Sequence, residues 1–279
     1  ARPPYAFRPV VPALAGAVAG LAADPVADRD GFMLALFPAI STLNILFLLG
    51  TALLVRRIVL KAGADEAVAL AAAALAVANV GTIQTAPFMM VDVATYFCAA
   101  LAVSLFQARQ ALALGLLLAA SVAVKEIMIV FAALLCAMAL ERRALGPLLL
   151  TVLPAAMFVG LRLAHGTDPL SVQYDWQISE GEIRLDLLRG HLSHLDFPIS
   201  VVLAIGGPLA AALLLAPRAR RAEAAAGLAI VAAVIMANLL LASRVPRIVF
   251  VLHPVLVLMA VSGLARMRAD AETETGRPG

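Results

Sequence analysis

Long runs of apolar residues, separated by short charged clusters, restrict the fold of this chain more than any other feature. Most runs have about 17–24 residues, the length that an α-helix needs to cross roughly 30 Å of hydrocarbon. They consist mainly of Ala, Leu and Val, without the alternation of polar and apolar residues that marks a membrane β-barrel. Eight runs occur, at residues 32–55, 66–82, 89–107, 111–140, 146–163, 199–216, 223–242 and 248–265.

The composition agrees with a membrane protein. Hydrophobic residues make up 63% of the 279 residues and charged residues 14%, whereas soluble domains contain about 45–50% apolar residues. The sequence therefore predicts an all-α fold, a polytopic transmembrane helical bundle. The net charge of +3 alone would also suit a nucleic-acid-binding protein. The basic residues form no stripe with interleaved aromatics, however, so we expect no nucleic acid partner.

The fourth run is interrupted at its middle by Lys125 and Glu126. Each half has about 14 residues, or roughly 21 Å of helix, which is too short to cross a bilayer comfortably. We therefore predict a broken helical hairpin whose tip faces the outer side of the membrane. With this hairpin, 12 of the 21 basic residues share the cytoplasmic side, whereas a single long helix would separate them. They are Arg56, Arg57, Lys61, Arg109, Arg142, Arg143, Arg218, Arg220, Arg221, Arg266, Arg268 and Arg277.

This topology divides the chain into three segments. Residues 1–30 form an outer interfacial segment, in which the apolar stretch 9–22 predicts a short helix lying at the membrane surface. Residues 31–266 form the transmembrane bundle, with an outer loop at 165–198. Residues 267–279 are polar and predict a disordered cytoplasmic tail. The protein is thus expected to be multi-pass, with its C-terminus in the cytoplasm.

Lys125 and Glu126 are the first candidates for a functional site. A charged side chain at membrane depth is costly, so it normally pairs with another charge or lines a polar cavity. In the functional interpretation, Lys125 binds an anionic lipid head group, and Glu126 orients it or contacts a polar substrate. In the alternative, the two residues only cap the hairpin and extend to the surface.

Arg244 and Arg247 lie in a short predicted outer loop, where other positive charges are sparse. Arginine binds phosphate through paired hydrogen bonds, so these residues are candidates for binding a lipid phosphate; nonspecific lipid contact is the alternative. Asp92, just inside the third run, either favours the helix dipole or binds a sugar hydroxyl from within the membrane. We expect Lys125 and at least one of the two arginines to face a common outer cavity, with Glu126 nearby.

The remaining polar residues have structural interpretations. His191 and His194 have no third ligand at a recognisable spacing, so we predict no metal site. Asp24, Asp28 and Asp30 are expected to lie in a solvated loop. His253 is expected to be a buried core residue.

Several motifs resemble those of bacterial polytopic GT-C glycosyltransferases, along most of the chain. The segment PYAFRPVVPALA at residues 4–15 is similar to their "yRpLlP-la" segment, and Asp92 resembles their outer-face Asp before a helix. The hairpin ending in Val124-Lys125-Glu126 is similar to their helix pair ending in "(T/S)KE". Arg244 ahead of Pro254 resembles their final "R-(x)n-P" segment.

The resemblance implies a membrane enzyme that transfers a sugar from a polyprenyl-phosphate carrier at the outer face of the bacterial inner membrane. In that family, the catalytic base is an acidic residue in a first outer loop. That loop precedes the segment matched at residues 4–15. The resemblance therefore implies a crossing and a loop before Ala1. Within the chain, Asp92 is the candidate catalytic residue. The lipid-linked sugar is the implied donor, and no other cofactor is identified.

Two alternatives from other classes stay open. The chain could be a non-catalytic membrane subunit that packs against a partner protein, or it could transport a lipid-linked substrate. An outer pocket lined by charges favours the enzyme, and a chargeless groove filled by lipid favours the subunit. Inverted repeats would favour a transporter, and none is detected in the sequence.

Overall fold

A computed structural model of the chain describes residues 10–78, 92–125, 127–140, 147–164, 210, 252–261 and 263–264. These residues are helical or lie in short turns, and no strand occurs among them. The predicted all-α class is therefore confirmed for the described residues. The described helices are α1 (Val10–Gly20), α2 (Arg29–Lys61), α3 (Glu66–Val77), α4 (Asp92–Gln107), α5 (Ala111–Val122), α6 (Met128–Leu140) and α7 (Pro147–Ala164). Residues 253–261 form a further helix, α8.

Helix α2 is the one described helix that is both long and apolar enough to cross a membrane. Its 33 residues correspond to about 50 Å of helix. Its outward face exposes large apolar side chains, including Leu34, Leu46 and Leu53, as expected of a helix in contact with lipid. The other apolar helices in the described ranges are shorter.

Helix α2 begins at Arg29, because the Asp28 carboxylate caps it by accepting the backbone N–H of Gly31 at 2.9 Å. Gly31 suits this close approach, since a Cβ there would overlap the Asp28 carboxylate. Helix α2 therefore begins two residues before residue 31, the predicted start of the transmembrane bundle. Asp30 lies in the first turn of α2 and not in a loop.

A tight turn joins α2 to α3 as an antiparallel pair. Gly63 has a left-handed backbone (φ 92°) and ends α2, and the Asp65 side chain caps α3 by accepting the N–H of Val68 at 2.9 Å. Arg56 Nε and Glu66 Oε1 form an exposed ion pair at 2.7 Å across the two helices.

Helices α2 and α4 run parallel. The rings of Phe47 and Phe97 are 5.4 Å apart, and Gln107 Nε2, at the end of α4, donates to Ile58 O, near the end of α2, at 3.2 Å. The C-terminal ends of the two helices are therefore adjacent. The basic residues that follow the first and third runs lie at the same end, as the sequence predicts.

The predicted break in the fourth run is confirmed. Helix α5 ends at Val122 and α6 begins at Met128. The N–H of Lys125 still donates to Ser121 O at 2.9 Å, and the Lys125 carbonyl accepts the N–H of Met128 at 3.1 Å. Lys125 is therefore the residue at which one helix stops and the next starts. Helix α7 contacts both halves.

One apolar core joins helices from most of the described chain. Its central side chains are almost completely buried and come from α1, α2, α4, α5, α6, α7 and α8: Val11, Ile58, Ala99, Leu118, Phe131, Leu150 and Leu256.

Candidate functional site

Asp92 is the first residue of α4, and its side chain is only 3% exposed. A carboxylate at a helix N-terminus interacts favourably with the free backbone N–H groups and the helix dipole. The predicted position at a helix start is thus confirmed. The nearly complete burial shows that Asp92 does more than cap a solvated helix end.

The Lys125 ammonium group forms an ion pair with Asp92 Oδ1, and its side chain is 8% exposed. Helices α4 and α5 are joined by a short turn at residues 108–110, so the two helices double back on each other. This arrangement brings the start of α4 next to the end of α5. Two charges that are 33 positions apart in the sequence therefore meet inside the protein.

The ion pair is a strong constraint on this part of the fold. Removing a charged group from water costs several kcal/mol for each ion, and only the partner charge and further hydrogen bonds offset that cost. Removal of one member of such a pair typically costs about 3–5 kcal/mol, since the remaining charge is left uncompensated. Asp92 and Lys125 are thus energetically dependent on each other.

Other buried polar side chains lie close to the pair in the fold. Thr95 lies one turn after Asp92 on α4 and is buried, as is Ser121, whose hydroxyl donates to Leu118 O at 2.8 Å within its own helix. Asn44 is fully buried on α2. Counting back from the Phe47–Phe97 contact along two parallel helices puts Asn44 within about one turn of the level of Asp92.

The ion pair and the basic end of the bundle are separated by the whole length of α4. Asp92 begins this helix and Gln107, which contacts the end of α2, closes it. Its 16 residues correspond to about 24 Å. The site is therefore at the end of α4 that is remote from Arg57, Lys61 and Arg109.

Of the other predicted site residues, Glu126, Arg244 and Arg247 lie outside the described residues. Their proximity to Lys125 stays a prediction. Lys125 itself is buried, so it does not extend to the surface as in the alternative interpretation. A carboxylate that pairs with Lys125 is provided by Asp92.

Two further buried ionisable groups have different surroundings. His253 is buried at the start of α8, as the core interpretation predicts. Arg162, near the end of α7, is buried with its Cζ 4.4 Å from the centre of the Phe158 ring, a cation–π contact that the sequence analysis missed. The only signal in the sequence is an Arg that follows a Phe by four residues on an apolar helix. Within the described ranges, no three His, Cys, Asp or Glu side chains are grouped to hold a metal ion.

No protein-family model matches this sequence, and neither a curated protein nor a solved structure is similar to it. The interpretation of the site therefore depends on its own geometry.

Proposed function

We propose that this chain is a membrane glycosyltransferase, or a piece of one, that uses a polyprenyl-phosphate sugar as donor, with Asp92 and Lys125 at the reacting centre. The observation that carries the proposal is the buried ion pair at a break between two apolar helices. Ionisable residues inside apolar helical proteins are expensive, and they typically mark substrate sites or relays. The pattern of GT-C-like motifs includes both residues.

The proposed architecture is a polytopic bundle in the bacterial inner membrane, with the ion pair nearer the outer side. The exposed face of α2 is apolar at Leu46, Leu49 and Leu53 and becomes basic at Arg57 and Lys61. Such a change supports a cytoplasmic membrane boundary near Arg57. The level of Asp92 is then about 20 Å from that boundary, within the thickness of the hydrocarbon.

In the proposed reaction, the donor phosphate displaces the Asp92 carboxylate from Lys125. The acceptor hydroxyl loses its proton to Asp92, and its oxygen forms a bond to the anomeric carbon of the sugar. The bond between that carbon and the phosphate oxygen breaks, and the polyprenyl phosphate leaves with the electron pair. Lys125 stabilises the negative charge on the leaving phosphate.

Glu126, Arg244 and Arg247 have supporting roles in this proposal. The two arginines bind the same phosphate through paired hydrogen bonds, and sharing one anion offsets the desolvation of several cations. Glu126 orients Lys125 or contacts the sugar.

The test is sugar transfer by membranes that contain the whole gene product, with a radiolabelled polyprenyl-phosphate sugar as donor. We expect Asp92→Asn and Lys125→Met each to lower transfer at least a hundredfold, because one loses the proton acceptor and the other the phosphate contact. Glu66→Gln is the matched control, since it breaks an ion pair that is exposed and distant from the site. Wild-type transfer rates in both site variants, at equal protein levels, would exclude the proposal.

A non-catalytic membrane subunit is the second candidate. The burial of both charged side chains favours it. Both side chains of the ion pair are more than nine-tenths buried, so the pair also suits a purely structural link between α4 and the α5–α6 break. In that case, transfer would be absent from the wild type, and the site variants would lose stability alone.

A further inference from the structure

Helices α2 and α4 end in the same type of turn. At the end of α2, the N–H groups of Gly63 and Ala64 donate to Leu60 O and Val59 O at 3.0 and 3.3 Å. At the end of α4, Arg109 and Gln110 donate to Phe106 O and Leu105 O, each at 3.1 Å. Both sets of hydrogen bonds form the Schellman motif, in which the residue after the helix has a left-handed backbone.

The two turns differ in the residue that occupies the left-handed position. Gly63 (φ 92°) fills it in one turn, and Arg109 (φ 58°) fills it in the other. Glycine adopts this conformation without a steric penalty, whereas a residue with a Cβ is disfavoured there. Residues in such strained conformations persist where the surrounding structure fixes them, and they cluster at functional sites.

Among the described residues, Arg109 is one of three exposed cations at this end of the bundle that lie outside the Arg56–Glu66 ion pair. Arg57 and Lys61, one turn apart, lie at the end of α2, and the Gln107–Ile58 hydrogen bond aligns the ends of α2 and α4. None of the three makes an ion pair in the described part of the chain, whereas the neighbouring Arg56 is paired with Glu66. We call Arg57, Lys61 and Arg109 the basic patch.

We propose that the basic patch binds the phosphate groups of anionic phospholipids, and that Arg109 is kept in its strained turn for this contact. Arg57 and Lys61 continue the exposed face of α2 that contains Leu49 and Leu53. Apolar side chains followed by cations on one helix face match a phospholipid, whose acyl chain adjoins a charged head group. A lipid head group fits this surface better than free phosphate, which would contact only the cations.

The inference is independent of the proposed transferase activity, because the basic patch and the Asp92–Lys125 pair lie at opposite ends of α4.

The experiment measures thermal unfolding of the full chain in neutral detergent, titrated with phosphatidylglycerol or phosphatidylcholine. A ligand that binds only the folded state raises Tm in proportion to its affinity and concentration. We expect phosphatidylglycerol to raise the wild-type Tm more than phosphatidylcholine, and high salt to reduce the difference.

The decisive variant is Arg109→Gly, because strain and lipid binding change its Tm in opposite directions. Without anionic lipid, its Tm should exceed that of the wild type, since glycine relieves the left-handed residue. Its apparent affinity for phosphatidylglycerol should fall about fivefold, the effect expected for one surface cation. Arg57→Gln with Lys61→Gln should lower the affinity further without relieving strain.

Arg29→Gln is the matched control, because Arg29 is exposed at the opposite end of α2, between Asp28 and Asp30. It should leave the response to phosphatidylglycerol unchanged. Equal responses of the wild type to both lipids, or an unchanged lipid affinity in Arg109→Gly, would overturn the proposal. An equal rise in Tm with inorganic phosphate would overturn the assignment to lipid.

Discussion

Four aspartates in the described part of the chain have two different environments. Asp24, Asp28 and Asp65 are exposed, and each accepts backbone N–H groups that a turn or a helix start leaves without an intrahelical partner. Asp92 is instead buried against Lys125. The same residue type therefore fixes local backbone geometry in three places and joins distant helices in one.

Asp24 should make the turn between α1 and α2 sensitive to acid. The N–H groups of Ala27 and Val26 donate to its carboxylate and hold its pKa below the ordinary value. Because the folded-state pKa is lowered, the carboxylate stabilises the turn above the unfolded pKa of about 3.9, and this stabilisation is lost as the pH falls through the lowered pKa.

Hydrogen exchange followed by mass spectrometry, as a function of pH, measures this effect. Protection of the Val26 and Ala27 amides should fall below about pH 4 in the wild type, and Asp24→Ala should lack protection at neutral pH. Protection in Asp24→Ala equal to that of the wild type would show that the side chain does not order the turn.

Sequence patterns identified both members of the ion pair but not the pair itself. Lys125 and Asp92 stood out separately, because each is a charge inside or beside an apolar run. Their contact requires α4 and α5 to double back at Ala108–Gln110, which places the start of one helix beside the end of the other. Two residues that are 33 positions apart meet in some helix arrangements and not in others. The pattern of apolar runs and charges therefore could not predict that Asp92 pairs with Lys125.

Helices α2 and α4 approach each other closely at Gly50. A Cβ added at Gly50 would lie 2.6 Å from Phe97 Cε2, and the Phe97 ring also packs against Phe47. Gly50 therefore allows α2 to approach the Phe97 ring. The contact also fixes the register in which α2 and α4 run parallel.

We predict that Gly50→Val lowers the free energy of unfolding by about 1–3 kcal/mol, because the added methyl groups displace the Phe97 ring. Gly160→Val is the control, since a Cβ at Gly160 meets no other group within 4 Å. Denaturant unfolding in detergent measures both variants. Equal losses of stability in the two variants would mean that valine acts through helix propensity and not through the contact with Phe97.

The positions of the helices were easier to predict than their ends. The apolar run 32–55 marks the hydrophobic part of α2, but the helix continues to Lys61. Arg56, Arg57 and Lys61 end the apolar pattern without ending the helix, since basic residues suit a helix C-terminus. The helix stops where Gly63 takes a left-handed backbone. The break at Lys125 was predictable because a charge pair divides a run that is too long for one crossing.

At the scale of the whole molecule, the described helices form a polarised arrangement. The basic patch lies at one end of α4, and a buried ion pair lies at the other, about 24 Å away by helix length. The exposed apolar face of α2 extends between the level of the ion pair and the level of the basic patch. This arrangement is consistent with a membrane protein whose charged site is reached from the side opposite its basic end.

We propose that the Asp92–Lys125 pair is a reacting centre and not merely a structural link. The exchange variant Asp92→Lys with Lys125→Asp separates the two roles, because it keeps the ion pair but exchanges the positions of carboxylate and ammonium. Unfolding stability and sugar transfer are measured on the same membrane preparation for the exchange variant. The same two measurements are made on the single variant Asp92→Asn.

We predict that Asp92→Asn costs about 3–5 kcal/mol of stability, because it removes the carboxylate that offsets the buried charge of Lys125. The exchange variant should recover most of that loss, apart from the unfavourable placement of a lysine at a helix N-terminus, and should still transfer no sugar. Recovery of both stability and transfer in the exchange variant would contradict the proposed roles. The proposed roles would also be contradicted if the wild-type protein transferred no sugar while the exchange variant recovered stability. That result would leave the ion pair a structural role only.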